Sequence, residues 1–398
     1  MNRRTVMVLG GNLYSEPSVQ SLKEAGFRIV LVDGNPDAPC FKHVDARGDF
    51  SFRDIERCLE LAKAENIGAV LPTHDRAVVP SAQISKQLGL KGPSPEAAVI
   101  SVSKSKTRQA WSRAQLPSPD FLVVKSFEEF RSGVAKIGFP AICKPTDDVG
   151  GGSRGVMKMD SSSSLEEAYG FVTSFGENGE ALIEPFYEGF EHSVEILMRD
   201  GKGTVLMISD KIQTPPPYRV GKTLIYPSSR SSEILEKIGK TAVESALAVG
   251  LTDGAAHVEL VSMENGEIIL FEIGLRCGGG AIPHPVCTAV TGVNQFVEFA
   301  RILLGESNSF APELKKHVCW HFITAKPGRL REIEGFETAS QGDGIIASGL
   351  DVSPGDAINP LKTSRERLGY FVSVGDTGDM AYEAAKRAET KLKFIYED

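Results

Sequence analysis

Residues 257–280 read HVELVSMENGEIILFEIGLRCGGG, and this stretch decides how the rest of the chain is read. Two strand-forming runs flank Glu264-Asn265-Gly266-Glu267, and Asn-Gly is the favoured centre of a two-residue type I′ hairpin. Such a turn pairs Glu264 with Glu267 and, in the same register, sets Glu259 directly opposite Glu272. Opposed like charges destabilise a hairpin. These two sit among Val258, Leu260, Val261, Leu270, Phe271 and Ile273, apolar on both faces as in a buried sheet, where an unpaired carboxylate is costly. Two carboxylates held together there usually have a cation between them. Mg²⁺ is the simplest, a hard ion that takes oxygen ligands and often brings phosphates with it. Arg276, two positions beyond the same-face Gly274, points the same way at the strand end. The alternative is a different register in which the glutamates face solvent.

Around this hairpin lie 398 residues, enough for two or three domains. The 41% hydrophobic and 24% charged fractions are those of a soluble globular protein. A net charge of −8 argues against a nucleic-acid partner, which would want a basic face. No run reaches the roughly 18 apolar residues of a membrane span, and MNRRTVMVLGG leads into a strand rather than a signal peptide. The six cysteines contain no C-x-x-C pair and read as reduced thiols in a cytoplasmic protein.

Upstream, the strand patterns TVMVLGG, FRIVLVD and IGAVLPT alternate with helical stretches, which predicts a parallel, doubly wound sheet. Gly10-Gly11 with Asp33 invites a dinucleotide reading, but GGNLYS lacks the G-x-G-x-x-G fingerprint. A Rossmann-like scaffold with ligands at the strand C-termini is the plainer reading. The Pro-punctuated QLPSPDF marks entry into a second unit, whose first helix is capped by Ser126 with Glu129 three residues on. Lys144 closes the strand FPAIC, and six residues later residues 150–155 read GGGSRG. A strand, a lysine and a glycine-rich turn can cradle phosphates, because backbone N–H groups approach closely where no side chain intrudes. Glycine clusters also serve as plain turns, and this one is not the G-x-x-x-x-G-K-[ST] pattern. The segment Glu184-Pro185-Phe186-Tyr187, with Glu191 seven residues after Glu184, can offer backbone edges to an adenine and a carboxylate to ribose hydroxyls. An ordinary strand with surface glutamates is the simpler alternative. The loop QTPPPYRVGK is the longest irregular stretch, a substrate loop or lid edge in which Arg219 clamps a carboxylate or lies in a surface turn. Helices are predicted over 232–249, 292–304 and 379–392. His317, Cys319 and His321 share one face of a predicted strand, better explained by a half-buried strand than by a metal trio.

Taken in order, SKSKTRQAWSRAQLPSP, FPAICKPTDDVGGGSRGVMKM, ALIEPFYEGFEHSVEI and the hairpin resemble the ATP-grasp superfamily over nearly the whole chain. The resemblance implies an α/β ATP-grasp architecture: a Rossmann-like unit over 1–103, a lid over 104–186, a central unit over 187–310 and a strand-rich C-terminal unit over 311–398. It implies ATP with Mg²⁺ or Mn²⁺ as cofactors, and related enzymes often form homodimers. By position, Lys104 and Lys144 resemble the nucleotide lysines, and Gly151, Gly152 and Ser153 the loop over the phosphates. Glu184, Phe186 and Tyr187 resemble the adenine hinge and Glu191 the ribose carboxylate. Glu259 and Glu272 match the metal ligands, and Arg276 the arginine steadying the transferring phosphate. Gly274 replaces the asparagine of E-x-N-x-R, and Cys277-Gly278-Gly279-Gly280 departs from the continuation in biotin carboxylases. E-x-G-x-R-x-G-G with His257 before the first glutamate is closer to carboxylate–amine ligases of the L-amino-acid ligase type. The implied reaction joins a small-molecule carboxylate to an amine through an acyl phosphate, releasing ADP and phosphate. His257 is then a proton acceptor or a packed histidine, and His284 and Gly279 border the acyl substrate. The alternatives are a purine-pathway ligase, with a ribose-phosphate site at His74, Asp75 and Arg76, or a non-catalytic nucleotide binder.

Overall fold

The computed structural model describes residues 4–147, 152–176, 178–306 and 309–397. The N-terminal strands Thr5–Leu9, Arg28–Val32, Ala46–Gly48 and Ala69–Pro72 form one parallel sheet, with Thr5–Leu9 between Arg28–Val32 and Ala69–Pro72. Apolar runs buried on both faces make such strands, and helices Glu16–Glu24, Ile55–Ala64 and Asp75–Leu88 cover them. Asp33 at the end of the second strand accepts the Gly11 N–H at 2.7 Å and the Asn35 N–H at 2.8 Å, so its carboxylate shapes the turn.

A smaller antiparallel sheet follows, ordered Leu122–Val124, Ala181–Pro185, Ala141–Pro145 and Met157–Met159. Helices Phe127–Ile137 and Leu165–Thr173 pack on it around Phe130, Val134, Cys143 and Ile183. Ser126 Oγ accepts the Glu129 N–H, while the Glu129 carboxylate accepts from Lys125 N–H, one residue earlier than a capping box places it.

The largest sheet has nine strands. Eight run in the order Ile268–Gly274, Gly254–Ser262, Phe190–Arg199, Asp210–Gln213, Gly221–Tyr226, His317–Ile323, Gly369–Gly375, Ile345–Leu350, with Lys202–Ile208 paired on Phe190–Arg199. Gly221–Tyr226 pairs directly with His317–Ile323, so the sheet is continuous across residue 310. The strand expected to be half-buried is buried almost throughout. Val318, Trp320 and Phe322 face the main core, and Cys319 packs on Ala381 and Ala385 of helix Gly378–Glu389. Both faces are covered, so polar alternation there does not report solvent. Among the described residues, no helix is long and apolar enough to cross a membrane.

The decisive hairpin forms, with a different turn. Met263 N–H donates to Glu267 O at 2.8 Å, and Gly266 N–H to Met263 O at 3.0 Å. Gly266 has φ +79° while Asn265 is not left-handed, which makes a three-residue loop instead of the two-residue type I′ turn. That extra residue shifts the register to Leu260↔Leu270. A bulge at Phe271 then restores Glu259↔Glu272. The bulge is satisfied from outside the hairpin: Leu270 N–H donates to Pro117 O at 2.9 Å, and Arg108 Nη2 donates to Phe271 O at 2.7 Å.

Candidate active site

A cavity of about 340 Å³ opens where the three sheets meet. The hairpin sets Glu259 and Glu272 side by side at its wall, and each carries a lysine. Lys211 Nζ lies 2.6 Å from Glu259 Oε1, and Lys104 Nζ 3.7 Å from Glu272 Oε2. Lys104, the first residue of its helix, reaches the site through Glu272 without lining the cavity. Burial works to raise the Glu259 pKa; Lys211 and His257 overrule it and hold the carboxyl well below the usual range.

His257 lies between two carboxylates. Its Nδ1 is 2.5 Å from Glu195 Oε1 and its Nε2 3.3 Å from Glu259 Oε1. Burial lowers its pKa, but Glu195 and Glu259 outweigh burial and lift it to about 9. Both ring nitrogens face carboxylates, so His257 links Glu195 to Glu259. Glu195 also accepts the Gly278 N–H at 2.9 Å and the Gln295 amide at 3.3 Å. This fully buried carboxylate fixes both the metal-type ligand and the glycine run.

Lys144 ends a buried strand and its Nζ is 2.5 Å from Glu184 Oε2, whose other oxygen accepts from Arg108 Nε at 2.6 Å. Burial would raise the Glu184 pKa, yet Arg108 and Lys144 keep it ionised below its ordinary value. Glu184 is therefore no surface glutamate: its carboxylate turns inward to hold a phosphate-type lysine. The neighbouring Phe186 and Tyr187 line the cavity, and Phe186 N–H donates to Pro140 O at 3.0 Å. The Phe186 ring lies under Lys158 Nζ at 3.9 Å. Glu191 also lines the cavity, hydrogen-bonded to Gln213 and paired with Arg219, so the expected clamp for a substrate carboxylate is already matched.

Arg276 is held from the other side of the molecule. Asp75, first residue of the helix Asp75–Leu88, takes its Nε at 2.7 Å and Nη2 at 2.6 Å, and Nη1 donates to Cys277 O at 2.9 Å. A Cβ at Gly274 would stand 2.9 Å from Asp75 Oδ1 and 3.3 Å from Arg276 Cζ. Glycine here, where E-x-N-x-R has asparagine, leaves room for this bidentate pair. Asp75 is thus committed to Arg276, and the neighbouring His74, pushed down in pKa by burial, lines the cavity.

Gly152 and Ser153 line the cavity; Gly150 and Gly151 lie outside the described residues. Ser364 N–H donates to Gly152 O at 3.0 Å, so the glycine loop meets the C-terminal part across the site. Gly279 lines the cavity with open space around it. His284 does not line it: Nδ1 is 3.0 Å from Thr288 Oγ1, and burial pushes its pKa down. Sequence reading missed Lys211, Glu195 and the far wall of Tyr14, Trp320, Phe322 and Arg367. The one signal for Glu195 was a lone carboxylate inside the apolar run Val194 to Met198.

The ATP-grasp domain family matches residues 137–284, and the L-amino acid ligase C-terminal domain 2 family matches residues 321–397. The chain is 24% identical over 314 residues to an L-arginine-specific L-amino acid ligase of Bacillus subtilis, covering 77% of this chain and 75% of that protein. Its fold is similar to an L-amino acid ligase from Bacillus licheniformis, with a TM-score of 0.85, 21% identity and 99% of each chain covered. It is also similar to an ADP complex of an N5-carboxyaminoimidazole ribonucleotide synthetase, at TM-score 0.80 and 19% identity over 97% of this chain and 96% of that one. The chain thus carries an ATP-grasp domain over residues 137–284 and a match to an L-amino acid ligase domain over residues 321–397, and it resembles ATP-dependent ligases.

Proposed function

We propose that the chain is an ATP-dependent carboxylate–amine ligase, and that it makes an amide or peptide bond through an acyl phosphate. The observation that carries this reading is the paired hairpin glutamates sharing one cavity with Lys144 and the anchored Arg276. The match of residues 321–397 to an L-amino acid ligase domain supports amino acids as the substrate class.

The donors fit a hard divalent cation. Glu259 and Glu272 oppose each other in register and keep 19% and 28% of their side-chain surface accessible, so both can offer oxygens to the cavity. With Gly274 in place of an asparagine, the remaining ligands would come from water and phosphate oxygens. A divalent cation held by Glu259 and Glu272 would supply neutralisation of phosphate charge. The chain's own residues do the rest. Lys144, positioned by Glu184, and Arg276, positioned by Asp75, offset the negative charge of the two reacting anions. Gly152 and Ser364 both line the cavity, and their hydrogen bond joins the glycine loop to the C-terminal part beside the place where a mixed anhydride would form. His257, held by Glu195, orients Glu259. The six cysteines are all buried and free, which suits a reducing cytoplasm.

The test is an ADP- and phosphate-release screen with Mg-ATP against pools of carboxylates and amines. ADP formation that requires one of each is expected. AMP and pyrophosphate would overturn the acyl-phosphate route, and stimulation by aminoimidazole ribonucleotide with bicarbonate alone would move the reading to a purine-pathway ligase.

A further inference from the structure

Among the described residues lining the cavity, every basic side chain with a resolved carboxylate partner forms a matched pair. Lys144 meets Glu184, Lys211 meets Glu259, Arg219 meets Glu191, Arg276 meets Asp75 and His257 meets Glu195. Arg367 is different. Its Nη2 donates to Gly221 O at 2.6 Å and its guanidinium lies 3.6 Å from the Phe322 ring centroid. No carboxylate stands within ion-pair distance of it among the described residues, and its Nε is buried without a hydrogen-bond partner. Burial pushes its pKa down to about 10, which leaves it charged at neutral pH. A buried cation with an idle donor is costly. It is stable where an anion arrives.

The surroundings of Arg367 specify that anion. Tyr14, Trp320 and Phe322 line the same end of the cavity, with Trp320 and Phe322 ring centroids 4.4 Å apart. Trp320 Nε1 is also buried without a partner. An apolar wall of mutually tilted rings with a guanidinium and an idle indole N–H suits a small organic anion with an apolar body better than a polyphosphate. In an amide-forming reaction the acyl donor's carboxylate is spent on the phosphate. The amine donor, if it is an amino acid, keeps its own carboxylate ionised throughout.

We propose that Arg367, with Tyr14, Trp320 and Phe322, forms the subsite for the free carboxylate and apolar body of the amine-donating substrate. This rests on the ligase reading above. No electron or group transfer is assigned to Arg367; it binds and orients.

The experiment is calorimetric titration of the full chain, saturated with Mg²⁺ and a non-hydrolysable ATP analogue, with the L-amino acids and with their primary amides. The best-binding amino acid should bind about 10–100-fold tighter than its amide, the range for a hydrogen bond to a charged group. Arg367→Met should bring acid and amide within about twofold of each other, a level at which no charge-assisted bond is left. Arg367→Lys should keep part of the preference, which separates lost charge from a misfolded site, and melting curves check folding of both variants. Equal binding of acid and amide by the unaltered protein overturns the proposal, as does binding of no amino acid. A loss of ATP-analogue affinity in Arg367→Met as large as the loss for the amino acid also overturns it, making Arg367 a phosphate ligand. Failure of the ligase reading is seen separately, as absent ADP release with every carboxylate–amine pair.

Discussion

The two ends of the cavity are built on opposite principles. At the hairpin end, charges come in matched sets: Glu184 between Arg108 and Lys144, Glu259 between Lys211 and His257, and Arg276 on Asp75. At the other end, Tyr14, Trp320 and Phe322 form an aromatic wall around one guanidinium that has no carboxylate partner among the described residues. A site for a constant, highly charged ligand gains from preorganised ion pairs that cost nothing to reorganise. A site that chooses among small substrates gains from shape and one directional anchor. On the proposed reading, charge stabilisation and choice among substrates would be served by different walls of one 340 Å³ space.

That contrast can be broken by removing one partner at the charged end. Glu184→Leu leaves Arg108 and Lys144 buried together without their carboxylate, and should cost about 3–5 kcal/mol of stability. Chemical denaturation measures it; a loss below about 1 kcal/mol, the scale of an exposed pair, would mean that the cluster is not desolvated.

Glu272→Gln keeps shape and removes charge, so the fold should survive while ADP formation falls about 10²–10³-fold. Unchanged turnover with an unchanged melting temperature would sink the assignment of this carboxylate to the metal.

Glu195→Gln sharpens the picture, because Glu195 touches no cavity space and acts through His257. Activity should fall about 10–100-fold, as for residues that orient a ligand. The pH dependence carries the sign. His257 is raised from 6.5 to about 9, so its stabilising contribution is complete below about pH 6.5 and is lost as pH rises through about 9. In Glu195→Gln that loss should begin at lower pH. Melting temperatures from pH 6 to 10 read the shift, and identical profiles would show that Glu195 does not hold the proton.

The smallest effect belongs to the aromatic end. Gly280 has φ +67°, and a Cβ there would stand 2.8 Å from the Trp320 ring. Gly280→Ala should cost about 1–2 kcal/mol of stability and raise the KM of the amine substrate while sparing that of ATP. An equal rise in both would place Trp320 against the nucleotide.

The sequence was most readable where interacting residues are near one another along the chain. The opposition of Glu259 and Glu272 follows from a single hairpin, although the turn is one residue longer and the Phe271 bulge cancels the shift. Lys144 at a strand end and the glycine run after it were visible as a local pattern. The partners were not. Asp75 and Arg276 are 201 residues apart, Glu195 and His257 62 apart, and Lys211 and Glu259 48 apart. No periodicity links such pairs. Glu184 shows the same limit: its position was noted, but its inward turn depends on Arg108 from a helix 76 residues earlier.

By itself, then, the sequence determined the strands, their alternation with helices, and a hairpin carrying two opposed carboxylates, because these depend on local patterns and on turn chemistry. Tertiary structure alone decided which cation meets which carboxylate, that His257 stands between Glu195 and Glu259, and that Arg367 lies beside Phe322 with no carboxylate partner among the described residues. Those outcomes depend on burial and on distances between strands far apart in the chain, since electrostatic strength is set by the surrounding medium and not by sequence order.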